Sequence, residues 1–158
     1  MTRLEAGDVA RWSAARLYLV ISGVTLLVLS AIGFSLDASF PTSPEAVRNT
    51  EPAYILGLLE TNGWHNLAGV LSAALALGFA LRPEWAITGA LFKGALYVIV
   101  TASIALAGGE TFLLASNDAD QVVHASLAVG GLATGAATAS RRSRNVGAGV
   151  NRSTVPRR

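Results

Sequence analysis

The chain has 158 residues, of which 52% are hydrophobic and only 14% are charged, and its net charge is +2. Soluble domains carry about 25% charged residues, so this composition indicates a protein whose solvent is lipid. The absence of cysteine excludes disulfides, thiolate metal sites and cysteine nucleophiles. The length corresponds to one domain, and no interior stretch resembles a domain linker.

Four apolar stretches follow one another along the chain, at 17–34, 64–81, 90–107 and 119–139. Each is close to the ~20 residues that cross about 30 Å of hydrocarbon as a helix. The first is longer than the apolar region of a signal peptide, which has about 7–15 residues, so we expect it to be retained. These stretches predict an all-α, integral membrane four-helix bundle over 17–139, between an amino-terminal segment (1–16) and a tail (140–158).

The basic residues predict the orientation of this bundle. Ten of the twelve lie before the first stretch, between the second and third stretches, or after the fourth; Lys93 lies just inside the start of the third, and only Arg48 lies on the opposite side. Because basic loops stay in the cytoplasm, both termini are predicted to be cytoplasmic, in a multi-pass protein of the cell membrane. Lys93, near the start of the third stretch, is expected to extend its ammonium group to the inner headgroups.

Two segments outside the four stretches have distinctive sequences. The tail carries six arginines, no acid and no apolar period, which predicts a disordered segment. Such a tail would lie on anionic lipids, and we expect the headgroup contacts to come from Arg141, Arg142 and Arg144. Nucleic-acid binding is not expected of a tail tethered at the bilayer. In the loop before the second stretch, an apolar piece at 53–59 is predicted to form an interfacial helix that begins at Pro52.

The two halves of the chain resemble each other. Residues 17–23 match residues 96–102 in residue type, and residues 58–67 match residues 113–122. The matches include Tyr18 with Tyr97 and Asn62 with Asn117. The first transmembrane hairpin therefore is predicted to recur as the second, and because both start and return on the cytoplasmic side, the repeat is parallel.

The same segments resemble a known family. The pattern Leu-Leu, two residues, Asn, two residues, His-Asn-Leu at residues 58–67, with Asp-Gln-Val-Val-His at 120–124, is similar to an uncharacterised bacterial family of small four-span membrane proteins. This family, common in actinobacteria, is known only as a domain of unknown function. The resemblance covers roughly residues 14–137 and implies a fold and a membrane location, but no activity. The chain departs from the family pattern at Gly69, where a second histidine usually follows His65.

Polar residues cluster at the outer starts of the second and fourth stretches. Asn62 and Asn117 are suited to cap the two helices, while Asp120 and His124 lie four residues apart on one helical face. The cluster comprises Asn62, His65, Asn66, Asn117, Asp120, Gln121 and His124.

Three interpretations of the cluster are open: an interhelical hydrogen-bond network, a proton relay or small-solute site, and a metal or haem site. A hydrogen-bond network would set helix register. Haem ligation requires two histidines at matched depth, whereas the repeat places His65 opposite Asp120 and His124 opposite Gly69. A zinc site needs at least three ligands in a workable geometry, and the spacing of His65, Asp120 and His124 does not favour one. No cofactor or metal is therefore expected.

The leading functional hypothesis is a non-enzymatic structural or accessory membrane subunit. Its partner would be a second copy of the chain or a larger complex, packed against helix faces rich in small residues, such as Gly131 and Gly135. The alternative is a small oligomeric transporter or proton channel that uses Asp120 and His124. The sequence contains no catalytic motif.

Overall fold

The computed structural model describes residues 12–49, 51–106 and 113–153. These residues form five α-helices, two short strands and one turn of 3-10 helix at Pro83–Trp85. In chain order the elements are α1 (Ala14–Leu36), α2 (Pro44–Asn49), β1 (Ala53–Ile55), β2 (Leu59–Thr61), α3 (Gly63–Ala80), α4 (Ala86–Leu106) and α5 (Asp118–Ser153).

Four helical segments within the described residues are long and apolar enough to cross a membrane: Ala14–Leu36, Gly63–Ala80, Pro83–Leu106 and Asp118–Asn145. The prediction of four such helices is therefore confirmed. Their bounds differ from the predicted stretches by added turns at the amino-terminal ends of α1 and α4 and, most of all, by the extension of α5 beyond residue 139 to Ser153. Residue 107, the predicted end of the third stretch, lies outside the described residues, as do residues 1–11 of the amino-terminal segment.

The helices associate as two close pairs, α1 with α3 and α4 with α5. Small residues make this closeness possible, since a Cβ atom built at Gly131 would lie 2.7 Å from the carbonyl oxygen of Ala90 and 2.8 Å from the Cα of Gly94. In the other pair, a Cβ atom at Gly23 would lie 2.8 Å from the side chain of Leu77. The small faces singled out in the sequence are thus occupied within the bundle, where they let helix backbones approach.

The bundle has two distinct ends. We call the end formed by residues 37–62 and 113–117 the loop end, and the opposite end, which carries Arg16, Arg82 and Arg141, the arginine end. At the arginine end, Arg16 Nε donates a hydrogen bond of 2.8 Å to the carbonyl oxygen of Ala80, at the carboxyl terminus of α3. A cation there satisfies free carbonyl groups and complements the helix dipole.

The interfacial helix predicted for residues 53–59 is wrong, because this piece forms an antiparallel β-hairpin. Ile55 pairs with Leu59, and the turn between them places Leu56 and Gly57 at φ 54° and 71°. Positive φ at both central residues is typical of the tight turns that match strand twist. Tyr54 and Ile55 favour a strand, and a helix of seven residues is too short to be stable by itself.

The predicted disorder of the tail is also wrong for residues 140–153, because α5 continues to Ser153. Arginine and alanine are good helix formers, and the tail contains no proline before Pro156. Extending an existing helix costs much less free energy than nucleating a new one. Arg141, Arg142 and Arg144 are exposed on this extension, as headgroup contacts require; residues 154–158 lie outside the described part of the chain.

Lys93 was expected to extend its ammonium group to the headgroups at the arginine end, but it does not. Its side chain is only 4% exposed, and its Nζ atom has no hydrogen-bond partner among the described residues. The ammonium group instead lies 5.7 Å from the ring centroid of Tyr97, one turn further along α4. Lys93 is seven residues from the start of α4, which corresponds to a depth of about 10 Å.

Candidate functional site

Two asparagines organise the loop end by capping helices. The side-chain oxygen of Asn62 accepts a hydrogen bond of 2.9 Å from the backbone N–H of His65, and that of Asn117 accepts bonds from Ala119 and Asp120. Each asparagine therefore satisfies free N–H groups in the first turn of its helix. The predicted capping roles are confirmed.

The same two asparagines also join the α1–α3 helix pair to the α4–α5 pair. Asn62 Nδ2 donates to the carbonyl oxygen of Leu113, and Asn117 Nδ2 donates to the carbonyl oxygen of Leu58, each at 2.8 Å. The side-chain oxygen of each asparagine thus accepts from its own helix, and the side-chain nitrogen donates to the loop of the other helix pair. The exchange fixes the two helix pairs relative to each other at this end.

His65 is held in one tautomer by its neighbours. Its Nδ1 atom lies 2.7 Å from the carbonyl oxygen of Ala115 and 3.0 Å from that of Glu60. Since both partners can only accept, Nδ1 must carry the hydrogen. In the neutral ring, Nε2 is then a hydrogen-bond acceptor.

Asp120 bonds to the backbone and not to His124. One carboxylate oxygen, Oδ2, accepts from the N–H of Asn117 at 2.9 Å and from the N–H of Glu60 at 3.1 Å. The residue is 3% exposed and lies in the first turn of α5, where the helix dipole favours a negative charge. Asp120 therefore links α5 to strand β2.

His124 is buried, and one of its ring nitrogens is unpaired within the described part of the chain. It is 8% exposed, and its Nδ1 atom has no partner among the described residues. Its ring centroid lies 5.8 Å from that of His65 and 5.5 Å from that of Tyr97. A buried polar atom left unpaired costs free energy, so Nδ1 of His124 is open to a further hydrogen-bond partner.

These side chains surround a cavity of about 310 Å³ between the helices. His65, Asp120 and His124 form its polar end, towards the loops, while its walls are mostly leucine and valine side chains such as Leu26, Leu71, Leu75, Leu96 and Val100. Volumes of about 300–1,000 Å³ with mostly apolar walls and a few polar groups are typical of small-molecule sites. The cavity is the strongest candidate site in the described part of the chain.

Not every residue of the predicted cluster reaches this cavity. Asn66 lines it, and its side chain also accepts from Thr61 Oγ1 and donates to the carbonyl oxygen of Asp37. Gln121 does not line it: Nε2 donates to Ser116 Oγ at 3.3 Å, and Oε1 is buried without a partner among the described residues. Asn62 and Asn117 do not line the cavity, but they cap the helices that carry His65 and Asp120.

Sequence reasoning missed the polar residues on the opposite wall. Tyr97 lines the cavity and donates a hydrogen bond of 3.1 Å to Ser72 Oγ, and both side chains are buried. The repeat could have signalled Tyr97, because Tyr18 occupies the matching position and donates to the carbonyl oxygen of Leu127 at 2.6 Å. Nothing in the sequence singles out Ser72.

Glu60 is the ionisable residue of the site that lies outside the helices. Burial raises the pKa of this carboxyl group, the negative charge of Asp120 raises it further, and His65 partly offsets the rise. Glu60 thus titrates at a higher pH than a free glutamate, at the loop end of the cavity.

The donors in the cavity do not form a metal site. Among residues 12–49, 51–106 and 113–153, no group of three or more His, Cys, Asp or Glu side chains is placed to hold a metal ion. The two histidines and Asp120 share one cavity, but His65 Nδ1 and Asp120 Oδ2 are already engaged with backbone groups.

Comparison with known proteins agrees with the resemblance found in the sequence. Residues 16–137, more than half of the chain, match the family described as a domain of unknown function (DUF4383). The chain belongs to this family. No curated protein and no solved structure shows significant similarity to the chain. For this DUF4383 protein, function must therefore be argued from the site itself.

Proposed function

We propose that this protein is a non-enzymatic, four-span membrane protein that binds a small, mostly apolar molecule carrying a hydroxyl or amino group. The observation that carries the proposal is the cavity of about 310 Å³, with apolar walls and a polar end formed by His65, Asp120 and His124. An apolar body fits the walls, and one polar group fits the end.

The hydrogen-bonding capacity of the polar end defines the polar group of the ligand. His65 Nε2 is an acceptor, because Nδ1 carries the hydrogen. Asp120 is acceptor-only when ionised, and His124 lacks a partner for Nδ1 among the described residues. A ligand that donates a hydrogen bond suits these acceptors, whereas a carboxylate would be repelled by Asp120.

The ligand would enter from the lipid. Leu71 and Leu75 line the cavity, yet they are 58% and 50% exposed on the outer face of α3. The cavity wall at α3 is thus also part of the surface that hydrocarbon would cover. This arrangement suits a molecule dissolved in the bilayer rather than a charged solute from water.

Thermal unfolding in detergent with 1-naphthol, a small aromatic molecule with one hydroxyl, tests the proposal. A ligand that binds only the folded protein stabilises it by about 2.7 kcal/mol at a hundred times its Kd. We expect 1-naphthol to raise the Tm of the wild type. Val100→Trp fills the cavity and should abolish this increase.

The matched control is Val98→Trp, which adds the same bulk two residues away at a position that is 45% exposed. It should respond to 1-naphthol as the wild type does. An equal rise in Tm for Val100→Trp, or no rise in the wild type, would contradict the proposal.

Passage of a proton or small solute is a second candidate function, as the sequence suggested for Asp120 and His124. The observation that favours it is a file of buried polar side chains, in which His124 is followed by Tyr97 at 5.5 Å and Tyr97 by Lys93 at 5.7 Å. Proton flux into proteoliposomes tests it. If protons pass along this series of side chains, Lys93→Met should abolish the proton flux. A proton flux that is the same in Lys93→Met and the wild type would contradict this function.

The accessory-subunit hypothesis stays a prediction, and the structure provides less support for it than the sequence did. It rested on small-residue faces, and Gly131 and Gly135 are occupied by α4 inside the bundle. Co-purification of a stoichiometric partner protein from mild detergent would restore it.

We also propose the orientation, location and repeat expected from the sequence: cytoplasmic termini, the bacterial cytoplasmic membrane, and two duplicated hairpins. The exposed Arg141, Arg142 and Arg144 would then face anionic lipids of the inner leaflet. Two pairs of matching bonds support the duplication. Asn62 and Asn117 each donate a hydrogen bond to the loop of the other hairpin. Tyr18 and Tyr97 each donate a hydrogen bond to the second helix of the other hairpin, at Leu127 and Ser72 respectively.

A further inference from the structure

A second hollow lies on the outer surface of α3, away from the loop end. It has a volume of about 670 Å³ and follows one helical face through Leu71, Leu75 and Gly78 to Arg82 and Trp85 at the arginine end. Gly78 keeps this groove open, because a Cβ atom built there would meet no atom within 4 Å. The groove is an exposed apolar channel about as long as three helical turns.

The groove ends in a single cation. Arg82 is exposed, and no described residue forms a hydrogen bond or ion pair with its guanidinium group. Beside it, the Trp85 ring is 49% exposed, and indole rings favour the headgroup level of a bilayer. The acid nearest in sequence is Glu84, which is exposed on the 3-10 turn and does not line the groove.

We propose that this groove binds an anionic phospholipid, with one acyl chain along Leu71, Leu75 and Gly78 and the phosphate group at Arg82. The match is one of apolar surface and charge: an acyl chain packs against an exposed apolar groove, and a guanidinium group binds phosphate through two parallel hydrogen bonds. Arg82 lies on the side predicted to face the cytoplasm, where anionic lipids concentrate. The site is separate from the polar end of the cavity, although Leu71 and Leu75 border both.

Native mass spectrometry of the protein titrated with phosphatidylglycerol and phosphatidylcholine tests the proposal. We expect the wild type to retain phosphatidylglycerol in preference. Arg82→Gln should reduce that preference about fivefold, the factor that corresponds to about 1 kcal/mol for an arginine at the membrane surface. Arg141→Gln is the matched control, since it removes an exposed arginine at the same end outside the groove, and it should keep the wild-type preference.

Filling the groove should weaken retention of both lipids. Gly78→Leu and Ala74→Trp each place bulk in the channel, and having two variants guards against a folding defect in one, which Tm reveals. Unchanged phosphatidylglycerol preference in Arg82→Gln, or unchanged retention in the filled variants, would overturn the proposal. So would a dimer that Gly78→Leu dissociates, because a second copy of the chain would then be the occupant. Neither Arg82→Gln nor Arg141→Gln should alter 1-naphthol binding, so the two proposals fail separately.

Discussion

The loop end and the middle of the bundle hold their helices together in different ways. At the loop end, caps, loops and strand β2 exchange hydrogen bonds through Asn62, His65, Asn117 and Asp120. In the middle, α4 and α5 meet through glycine and alanine with almost no polar contact. The glycine contacts leave no space between α4 and α5, so the cavity lies outside this contact, with its polar end at the loop end.

The comparison predicts that added bulk should destabilise the protein where α4 meets α5. Gly131→Ala places a methyl group 2.7 Å from the carbonyl oxygen of Ala90, and that backbone cannot move without separating the helices. We expect a loss of about 1–3 kcal/mol, measured by unfolding in detergent. Gly78→Ala, the same change at an open position of α3, should leave stability unchanged or slightly higher. Equal effects would contradict the assignment of the middle to close packing.

At the loop end, loss of a polar partner should destabilise the protein. Asn62→Ala removes a cap and leaves the carbonyl oxygen of Leu113 without its donor, at a site that is 3% exposed. We expect a loss of about 1–2 kcal/mol. Asn117→Ala makes the same change at the matching, more exposed position, so its effect should be smaller because water can replace the lost bonds. A larger effect at Asn117 would show that the network is not organised as described.

The two histidines should respond in opposite directions to the same substitution. His124→Leu replaces an imidazole that has an unpaired Nδ1 atom with an apolar side chain, and we expect a gain of up to about 1 kcal/mol in stability without ligand. His65→Leu removes the hydrogen bond to Ala115 and should destabilise the protein. Thermal unfolding of both variants checks this contrast. Destabilisation by His124→Leu in ligand-free protein would mean that His124 has a structural partner.

The pH dependence of stability should be the smallest effect, and it comes from Glu60. Because the pKa of Glu60 is raised in the folded protein, its contribution to stability is fully present below the unfolded pKa and is lost as pH rises through the folded pKa. Glu60→Gln should remove this loss, so the variant should gain on the wild type as pH increases from about 4.5. Unfolding curves across this range measure the difference. An advantage that shrinks with rising pH would contradict the assigned cause.

The sequence predicted the four membrane-length helices and both asparagine caps because these depend on local patterns. Apolar length reports a span directly, and an asparagine before a helix needs only its own turn to act as a cap. The β-hairpin at 53–61 was missed because its turn depends on φ values at Leu56 and Gly57 that composition does not reveal. The helical tail was missed because its many arginines and lack of an apolar period are typical of disorder, whereas an existing helix can extend through such a segment.

The cavity could not be predicted from the sequence, since it arises between helices that are far apart in the chain. His65 and His124 were recognised as candidates, but their separation depends on how α3 and α5 meet at the loop end. The hydrogen-bond partners of Asp120 are backbone N–H groups, which side-chain patterns do not report. Ser72 could not be recognised as a cavity residue, because a serine among the small residues of α3 is not unusual in such a sequence.

The central claim is that a ligand supplies the hydrogen-bond partner that His124 lacks among the described residues, while the Nδ1 atom of His65 stays bonded to the loop end. The ¹⁵N NMR resonances of the two imidazoles, measured with and without saturating 1-naphthol, test this claim most directly. We expect His65 to show the Nδ1–H tautomer in both states, because Nδ1 remains bonded to Ala115 and Glu60. The resonances of His124 should change from those of an unpaired ring to those of a hydrogen-bonded one. Saturation that leaves His124 unchanged, or that shifts the tautomer of His65 instead, would contradict the account.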